Sequence, residues 1–369
     1  MDPRVYWVAF NLVKGIGAVR LRALLDYFGS LEVAWQAPLD GLRAAGLPAR
    51  ILENLLQIRK DCSLERIWEA IEKRGVQVLT WEDPAYPPRL LQIDQPPPVL
   101  FVHGAITPAD EWAVAIVGTR RLTGYGHQVA SELAAFLANN GITVVSGLAR
   151  GIDRVAHEAA LKAGGRSIAV LGSGVDRIYP PEHANLAERL SAQGAVISDY
   201  ALGTPPDSAN FPPRNRIISG LSLATVVVEA AESSGALITA TFAAEQGRDV
   251  FAVPGGIYAP QSKGTNRLIQ QGAQPLVKFE DLLVELNLNK VPEQRAARSL
   301  LPADDVEARL IKLLADEPCH VDDICVQSGF PIDQVSATLT IMELKGMVRQ
   351  TGGMNFSLIR EDPGDYQVD

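Results

Sequence analysis

The middle of the chain alternates short apolar segments with glycine loops and helical segments. Trp112–Val117, Thr143–Ser146 and Ser167–Leu171 are three of these apolar segments, and a glycine follows each of them directly. Short apolar strands that alternate with tight loops and helices predict an α/β fold with a doubly wound sheet of largely parallel strands. Because ligands of such sheets bind at the carboxyl ends of the strands, we expect the glycine loops to share one binding edge.

The segments on either side of this sheet predict two further domains. Apolar residues spaced by about 3.6 positions over residues 5–70 indicate helices. Three helical segments and a hairpin over residues 306–358 are typical of a winged helix. We predict a helical domain of the helix-hairpin-helix or SAM-like kind (1–72), an extended Rossmann-like domain (73–287), a linker (288–303) and a winged-helix domain (304–360). The polar tail from Glu361 is expected to be disordered.

A glycine turn, Lys14-Gly-Ile-Gly-Ala18, lies between two of the predicted N-terminal helices. It resembles the hairpin of helix-hairpin-helix proteins, in which backbone N–H groups meet a DNA phosphate. It is equally consistent with a small helical bundle that has a glycine corner, because a GxG pattern alone is a weak signal. Both interpretations stay open at this point.

The composition indicates an ordinary globular protein, with 47% hydrophobic and 21% charged residues. No apolar run reaches membrane-spanning length, and the N-terminus lacks a signal-peptide pattern. Three scattered cysteines, Cys62, Cys319 and Cys325, predict a reducing cytoplasm rather than a disulfide framework. With His320, the last two are too few to predict zinc. The sequence has no P-loop, nucleophile elbow or HExxH motif. We expect no metal, cofactor or membrane contact.

The net charge of −9 is concentrated near the C-terminus. Residues 291–369 carry 7 Lys and Arg against 14 Asp and Glu, whereas residues 110–290 carry 15 against 17. A nearly neutral middle segment can therefore hold a local basic groove. Since phosphate contacts dominate DNA affinity, a winged helix this acidic is predicted to contact a protein partner or to regulate the protein.

The segment Phe211–Ser222 places Arg214, Asn215 and Arg216 between two prolines and an apolar run. We interpret it as poor core material whose dense, fixed hydrogen-bond donors suit a phosphate group.

Other candidate ligand contacts follow the predicted strands. Gly118-Thr119-Arg120 lies where a Rossmann phosphate loop would lie, although it is not a GxGxxG motif. The guanidinium of Arg120 either binds a phosphate through two parallel hydrogen bonds or belongs to an ordinary surface arginine. Lys263, with the backbone of Gly264, either binds phosphate at a helix N-terminus or belongs to a simple turn.

A third loop after a predicted strand, Gly172–Pro180, carries an aromatic residue beside an arginine. Asp176, Arg177 and Tyr179 are expected over the mouth of the pocket, where Tyr179 would stack on a base or pack on the next proline. Asp153 and His157 share one helical face. A helix cap and a buried histidine are favoured over a catalytic pair or half a metal site, because no third ligand lies nearby in sequence.

Seven groups of residues then occur in a fixed order. They are Gly118-Thr-Arg120; Ser146-Gly-Leu-Ala-Arg-Gly-Ile-Asp153 with Ala156-His157; Ala169-Val-Leu-Gly-Ser-Gly174 with Tyr179-Pro180; Phe211-Pro-Pro-Arg-Asn-Arg-Ile-Ile-Ser-Gly220; Val228-Glu-Ala230 with Ser234-Gly-Ala-Leu-Ile-Thr-Ala240; Gly247-Arg-Asp-Val-Phe-Ala-Val-Pro-Gly255; and Gly264-Thr-Asn266 with Leu268-Ile269 and Gly272-Ala273. This order closely resembles the DNA-processing protein A family (DprA, also called Smf), most strongly over residues 112–280.

The resemblance implies a Rossmann-like domain that binds single-stranded DNA without sequence preference and dimerises through that domain. It also implies loading of the RecA recombinase onto that DNA during natural transformation, with no catalytic activity. The implied site consists of Gly118, Thr119, Arg120, Ser146, Gly147, Gly172, Asp176, Arg177, Tyr179, Phe211, Arg214, Asn215, Arg216 and Lys263. Family members often have serine in place of Thr119 and glutamate in place of Asp199, so no role is assigned to Asp199.

Two other functions compete with this interpretation. The same Rossmann branch resembles nucleotide-processing enzymes of the LOG phosphoribohydrolase kind, in which Glu229 and Ser233-Ser-Gly235 would take part in the chemistry. Those enzymes carry a PGGxGT loop, and Pro254-Gly-Gly256 matches only its beginning. A weaker alternative is a structural winged-helix adaptor with a vestigial Rossmann part.

Overall fold

The computed structural model describes residues 2–288, 305–314, 319–344, 347–352 and 354–358. The chain divides into two compact units between residues 289 and 290. The predicted linker after residue 288 and the predicted disordered tail from Glu361 lie outside the described residues. No helix in the described ranges is long and apolar enough to cross a membrane.

The first unit contains a nine-stranded sheet and its flanking helices. Its strands are β1 (Gln77–Thr80), β2 (Val99–Gly104), β3 (Ala113–Val117), β4 (Thr143–Ser146), β5 (Ser167–Val170), β6 (Ala195–Ser198), β7 (Ala224–Val227), β8 (Asp249–Ala252) and β9 (Gln274–Pro275). Its helices are α1 (Arg4–Asn11), α2 (Ala18–Phe28), α3 (Leu31–Gln36), α4 (Leu39–Ala44), α5 (Ala49–Asp61), α6 (Leu64–Lys73), α7 (Pro88–Leu91), α8 (Gly124–Asn139), α9 (Ile152–Lys162), α10 (Ala184–Gln193), α11 (Phe211–Leu221), α12 (Ala236–Glu245), α13 (Lys263–Gln270) and α14 (Phe279–Glu285).

The strand order is β1-β2-β6-β5-β4-β3-β7-β8-β9. From β6 to β9 all neighbouring strands are parallel, while β2 joins β6 and β1 in antiparallel register. The chain runs outward from β3 to β6 and then returns to start again at β7, beside β3. This arrangement confirms the predicted extended Rossmann-like doubly wound sheet. Its topological switch point lies between β3 and β7, where such folds place their ligands.

Burial explains why the central strands are apolar throughout. All five residues of β3 and all four residues of β4, β5, β6 and β7 are buried, because helices cover both faces of the sheet. On one face of the sheet, side chains from these strands pack against α7, α11 and α12 to form a core. The strands therefore have little freedom to move, and the loops at their carboxyl ends are held on a rigid support.

The N-terminal helices share a core with the edge of the sheet. Trp7, Phe10 and Leu24 belong to the same cluster of buried side chains as Val78 of β1 and Phe101 of β2. The predicted boundary at residue 72 consequently separates the N-terminal helices from the sheet, although both belong to one compact unit.

The segment Phe211–Ser222 differs from its description as poor core material, because residues 211–221 form helix α11. Pro212 and Pro213 occupy the first turn, where the missing amide donors are not needed. Because residues three or four positions apart lie on the same face of a helix, Arg214, Ile217 and Leu221 share the buried face of α11. The sequence-based description missed this because its arginines obscured the apolar face.

The second unit has the order of elements predicted for a winged helix. Its described elements are α15 (Asp305–Leu313), β10 (Cys319–His320), α16 (Val321–Ser328), α17 (Ile332–Leu344), β11 (Val348–Gly352) and β12 (Asn355–Leu358). The strands pair antiparallel in the order β10-β12-β11. A small core that includes Leu310, Ile324, Leu339 and Met342 holds the helices against this sheet.

Candidate functional site

A cleft of about 690 Å³ opens at the carboxyl ends of β3 and β7, which is the switch point of the sheet. Its walls come from the loop after β3, the start of α11, and the loop between β7 and the start of α12. The site residues Gly118, Thr119, Arg120, Tyr179, Phe211, Arg214 and Asn215 all line this cleft. The structure thus brings together half of the predicted site.

The loop after β3 presents two exposed arginines, Arg120 and Arg121. Thr119 anchors it: its amide donates to the carbonyl oxygen of Glu229 over 2.7 Å, and its own carbonyl accepts from the amide of Ile152 over 3.2 Å. Because Thr119 is buried while the arginines are not, the loop offers guanidinium groups from a fixed base. Exposed, oriented guanidinium groups are well suited to phosphate.

Two aromatic rings lie beside these arginines. The ring centroids of Tyr179 and Phe211 are 5.6 Å apart with planes inclined by 37°. The guanidinium carbon of Arg120 is 5.8 Å from the centroid of the Phe211 ring, within the range of a cation–π contact. Gly172 permits this arrangement, because a Cβ there would be 2.8 Å from the Phe211 ring. The absence of a side chain at Gly172 therefore allows the Phe211 ring to occupy this position beside Tyr179.

Arg214 lines the cleft as predicted, but its guanidinium is buried and already binds protein carbonyls. It is 4% exposed, and its guanidinium donates to the carbonyl oxygens of Gly147, over 2.8 Å, and Val170. Gly147 directly follows β4 and Val170 is the last residue of β5, so the Arg214 side chain links the ends of two neighbouring strands. A Cβ at Gly147 would be 2.6 Å from the Arg214 guanidinium, which explains the glycine there. Burial lowers the pKa of Arg214 to about 10, so it remains charged at neutral pH.

Arg216 lies away from the cleft, which corrects its placement in the floor of the pocket. It pairs with Asp199 over 3.0 Å, and both residues line a separate cavity of about 340 Å³ beside α1 and α2. Asp199, which received no role from the sequence, is thus the ion-pair partner of Arg216. Asn11 of α1 donates to the Asp199 carbonyl over 3.0 Å, so the pair belongs to the contact between the helical layer and the sheet.

Asp153 and His157 have structural roles, as the sequence favoured. The Asp153 carboxylate accepts from the amides of Gly147 and Ala149, over 3.1 and 3.3 Å. Burial raises the pKa of Asp153, while Arg214 opposes this shift. His157 is fully buried, with Nδ1 2.7 Å from the Ser167 hydroxyl, and burial lowers its pKa to about 3.

The remaining predicted residues lie outside the cleft. The Ser146 hydroxyl is fully buried and donates to the Ile116 carbonyl over 2.6 Å, so it is not available to a ligand. Asp176 accepts from the Gly203 amide and lies in a groove beside Arg74, away from the rim that the sequence indicated. Arg177 and Lys263 are exposed, but neither lines the cleft.

The sequence missed one wall of the cleft, formed by Ser233, Ser234, Gly235, Thr239 and Gln261. The first three precede α12, and the positive end of that helix dipole adds to the potential of the arginines. The signal was available, since Ser233-Ser-Gly235 follows the strand next to β3 across the switch point. The segment also belongs to the motifs of the family resemblance, but the sequence did not identify it as part of the binding site.

Two buried carboxylates near the cleft, those of Glu229 and Asp153, already accept hydrogen bonds from the protein. Both oxygens of Glu229 accept from Thr123, and Asp153 accepts from two amides. In the described part of the chain no group of three or more His, Cys, Asp or Glu is placed to hold a metal ion. The cleft can therefore bind anionic groups through its arginines and stack a planar group on its rings.

Comparisons with known proteins identify a family to which the chain is similar. The family model described as DNA recombination-mediator protein A matches residues 77–287, and the model of the DprA winged helix domain matches residues 294–354. Protein Smf of Synechocystis is 36% identical over 96% of this chain and 98% of its own length. DNA processing protein DprA of Bacillus subtilis is 43% identical over 60% of this chain and 75% of its own length.

Two solved structures are similar to the chain. The X-ray structure of DNA processing protein A from Streptococcus pneumoniae has a TM-score of 0.68 and 33% identity, covering 76% of this chain and 97% of that one. A structure of DNA processing protein A from Helicobacter pylori, described with a single-stranded DNA binding mode, has a TM-score of 0.52 and 30% identity. It covers 60% of this chain and 98% of that one.

Proposed function

The chain belongs to the DNA recombination-mediator protein A family, and on this basis we propose that its cleft binds single-stranded DNA irrespective of sequence. The observation that carries the proposal is the pairing of exposed Arg120 with the rings of Tyr179 and Phe211. A single strand offers phosphates and unpaired bases side by side. Guanidinium groups bind the first, and aromatic faces stack on the second whatever the base.

We propose further that the bound strand is passed to the RecA recombinase in natural transformation, as the family resemblance implies. On this proposal the protein is a cytoplasmic mediator and not an enzyme. The engaged carboxylates of Glu229 and Asp153 support this, because a general base needs a free oxygen, and a general acid a proton to donate, within reach of the substrate. The phosphoribohydrolase alternative relied on Glu229, whose two carboxylate oxygens both accept from Thr123.

Dimerisation through the Rossmann-like domain is also proposed. β9 ends the sheet, and Val277 and Val284, just beyond it, are 69% and 59% exposed. Val277 directly follows the edge strand and Val284 lies on α14, so on this proposal both side chains are available to a second subunit. The apolar segment 268–276, which the sequence left between interface and core, contributes Leu276 to the core at 4% exposure.

For the winged helix we propose a protein partner. Its helix α17 occupies the position from which such domains read DNA. The exposed residues of that helix include Asp333, Gln334, Ala337 and Ile341, and no Lys or Arg occurs in the described residues 332–344. A helix without Lys or Arg neutralises no phosphate charge, and that electrostatic contribution supplies much of DNA affinity.

The test is single-stranded DNA binding by the full chain, measured by anisotropy of a labelled oligothymidylate at several salt concentrations. Arg120→Ala should weaken binding by about tenfold or more, because a hydrogen-bonded charge pair is lost. It should also reduce the slope of log affinity against log salt by about 0.7.

Arg43→Ala serves as the matched control, because Arg43 is an exposed arginine on α4. Wild-type affinity in Arg120→Ala would refute the assignment of the cleft. Nucleoside monophosphate hydrolysis, assayed in parallel, would support the enzymatic alternative if it disappeared with Glu229→Gln.

A further inference from the structure

Glu229 follows β7 and reaches across the switch point to the loop after β3. Its side chain is buried at 2% exposure. The carboxylate accepts from the amide of Thr123 over 3.0 Å and from the Thr123 hydroxyl over 2.5 Å. Its backbone carbonyl accepts from the amide of Thr119 over 2.7 Å. One residue thus contacts both ends of the loop 119–123, and Arg120 and Arg121 lie between those two ends.

The Thr123 contact also controls the start of α8. The Thr123 hydroxyl donates to Glu229 and accepts from the Gly126 amide over 3.2 Å, which caps the helix. No side chain fits at Gly126, because a Cβ there would overlap the Glu229 carboxylate. The carboxylate therefore lies against the first turn of α8, where the positive end of the helix dipole favours a negative charge.

This position has a consequence for the ligand. In dinucleotide-binding folds, the N-terminus of the first helix after the central strand holds the ligand phosphate. Here the carboxylate of Glu229 occupies the equivalent place. A ligand phosphate is consequently excluded from α8 and directed outward to Arg120 and Arg121, where the backbone of a long strand can pass.

We propose that Glu229 is a positioning residue for the arginine loop, defined as residues 119–123, and an internal substitute for a phosphate at α8. The inference rests on the proposed function of the cleft. It predicts opposite effects for two substitutions. Glu229→Gln can still accept from the Thr123 amide and donate to the Thr123 hydroxyl, and it removes a negative charge near the DNA. Glu229→Ala removes both side-chain contacts with Thr123 and releases that end of the loop, while the backbone contact with Thr119 remains.

Two measurements on the full chain separate positioning from other roles. The first is limited digestion with trypsin, which cleaves after Arg120 and Arg121 only when the loop can open. Glu229→Ala should be cleaved there faster than wild type, and Glu229→Gln at the wild-type rate. The second is affinity for an oligothymidylate. Glu229→Gln should bind as tightly as wild type or more tightly. Glu229→Ala should bind about tenfold more weakly if only about a tenth of its molecules hold the loop in the conformation that binds DNA.

The salt dependence supplies a further distinction, because Glu229→Ala keeps both arginines. Its slope of log affinity against log salt should equal the wild-type slope, unlike that of Arg120→Ala. Thr123→Val removes the hydroxyl contact from the other side. It should open the loop to trypsin in the same direction, which keeps the test valid if Glu229→Ala fails to fold.

Tighter binding by both Glu229→Ala and Glu229→Gln would overturn the inference, since the carboxylate would then act only by repulsion. Wild-type cleavage rates in Glu229→Ala and Thr123→Val would overturn it too. Faster cleavage in those variants combined with unchanged DNA affinity in Arg120→Ala would support the positioning role and refute the proposed function of the cleft.

Discussion

Arg214 gives the sharpest test of the site, because the sequence makes it a phosphate ligand and the structure makes it a link between strand ends. Replacing it with alanine removes the donors of the Gly147 and Val170 carbonyls. Each buried polar group left without a partner costs about 1–3 kcal/mol, so the two together cost about 2–6 kcal/mol. The substitution also leaves Asp153 without the cation that lowers its pKa.

A loss of this size is a large fraction of the total stability of a domain, which is about 5–15 kcal/mol. Urea unfolding followed by circular dichroism should show a much lower midpoint for Arg214→Ala. Arg214→Lys should recover part of the loss, since an ammonium group keeps the charge but cannot reproduce the guanidinium fork. The control is Arg120→Ala, at an exposed position, whose stability should stay within about 0.5 kcal/mol of wild type.

DNA binding must be measured on the folded fraction of each variant. The structure predicts that Arg120→Ala loses affinity with normal stability, and that Arg214→Ala loses stability first. An Arg214→Ala protein with the wild-type urea midpoint and strongly reduced DNA affinity would refute the structural role and restore a direct phosphate contact.

Three further predictions concern other parts of the chain. His157 has a folded pKa of about 3, below its unfolded value, so only the unfolded state gains a proton as pH falls through 6.5. Stability should therefore drop by about 2 kcal/mol between pH 7 and 5, and urea unfolding should show this loss in wild type and His127→Gln but not in His157→Gln. Val277→Asp should shift light-scattering mass toward a monomer, and an unchanged mass would exclude this edge as the interface. Ala337→Lys, which adds a cation to α17, should leave oligothymidylate affinity within about twofold if that helix does not meet DNA, and a clear increase would contradict this.

The sequence alone predicted the parallel sheet, because the necessary signals are local, although it missed helix α11. An apolar strand such as β3 and the glycine after it identify themselves within a few residues, and their repetition defines a parallel sheet with one binding edge. Arg120 could be predicted for the same reason, since it directly follows a strand at that edge. The resemblance to a known family, carried by ordered motifs, was likewise readable without coordinates.

Only the tertiary structure decided which charged residues are free. Arg214, Arg216 and Arg120 look alike in sequence. In the structure Arg214 lines the cleft but binds strand-end carbonyls, Arg216 pairs with Asp199 elsewhere, and Arg120 is exposed in the cleft. Glu229 contacts Thr123, which lies 106 positions away in the chain. Whether a charged side chain binds a ligand depends on the partners that folding brings to it from distant segments. Such partners leave no periodic or local signal, and for that reason the sequence predicts the edge at which the cleft opens more accurately than the residues that line the cleft.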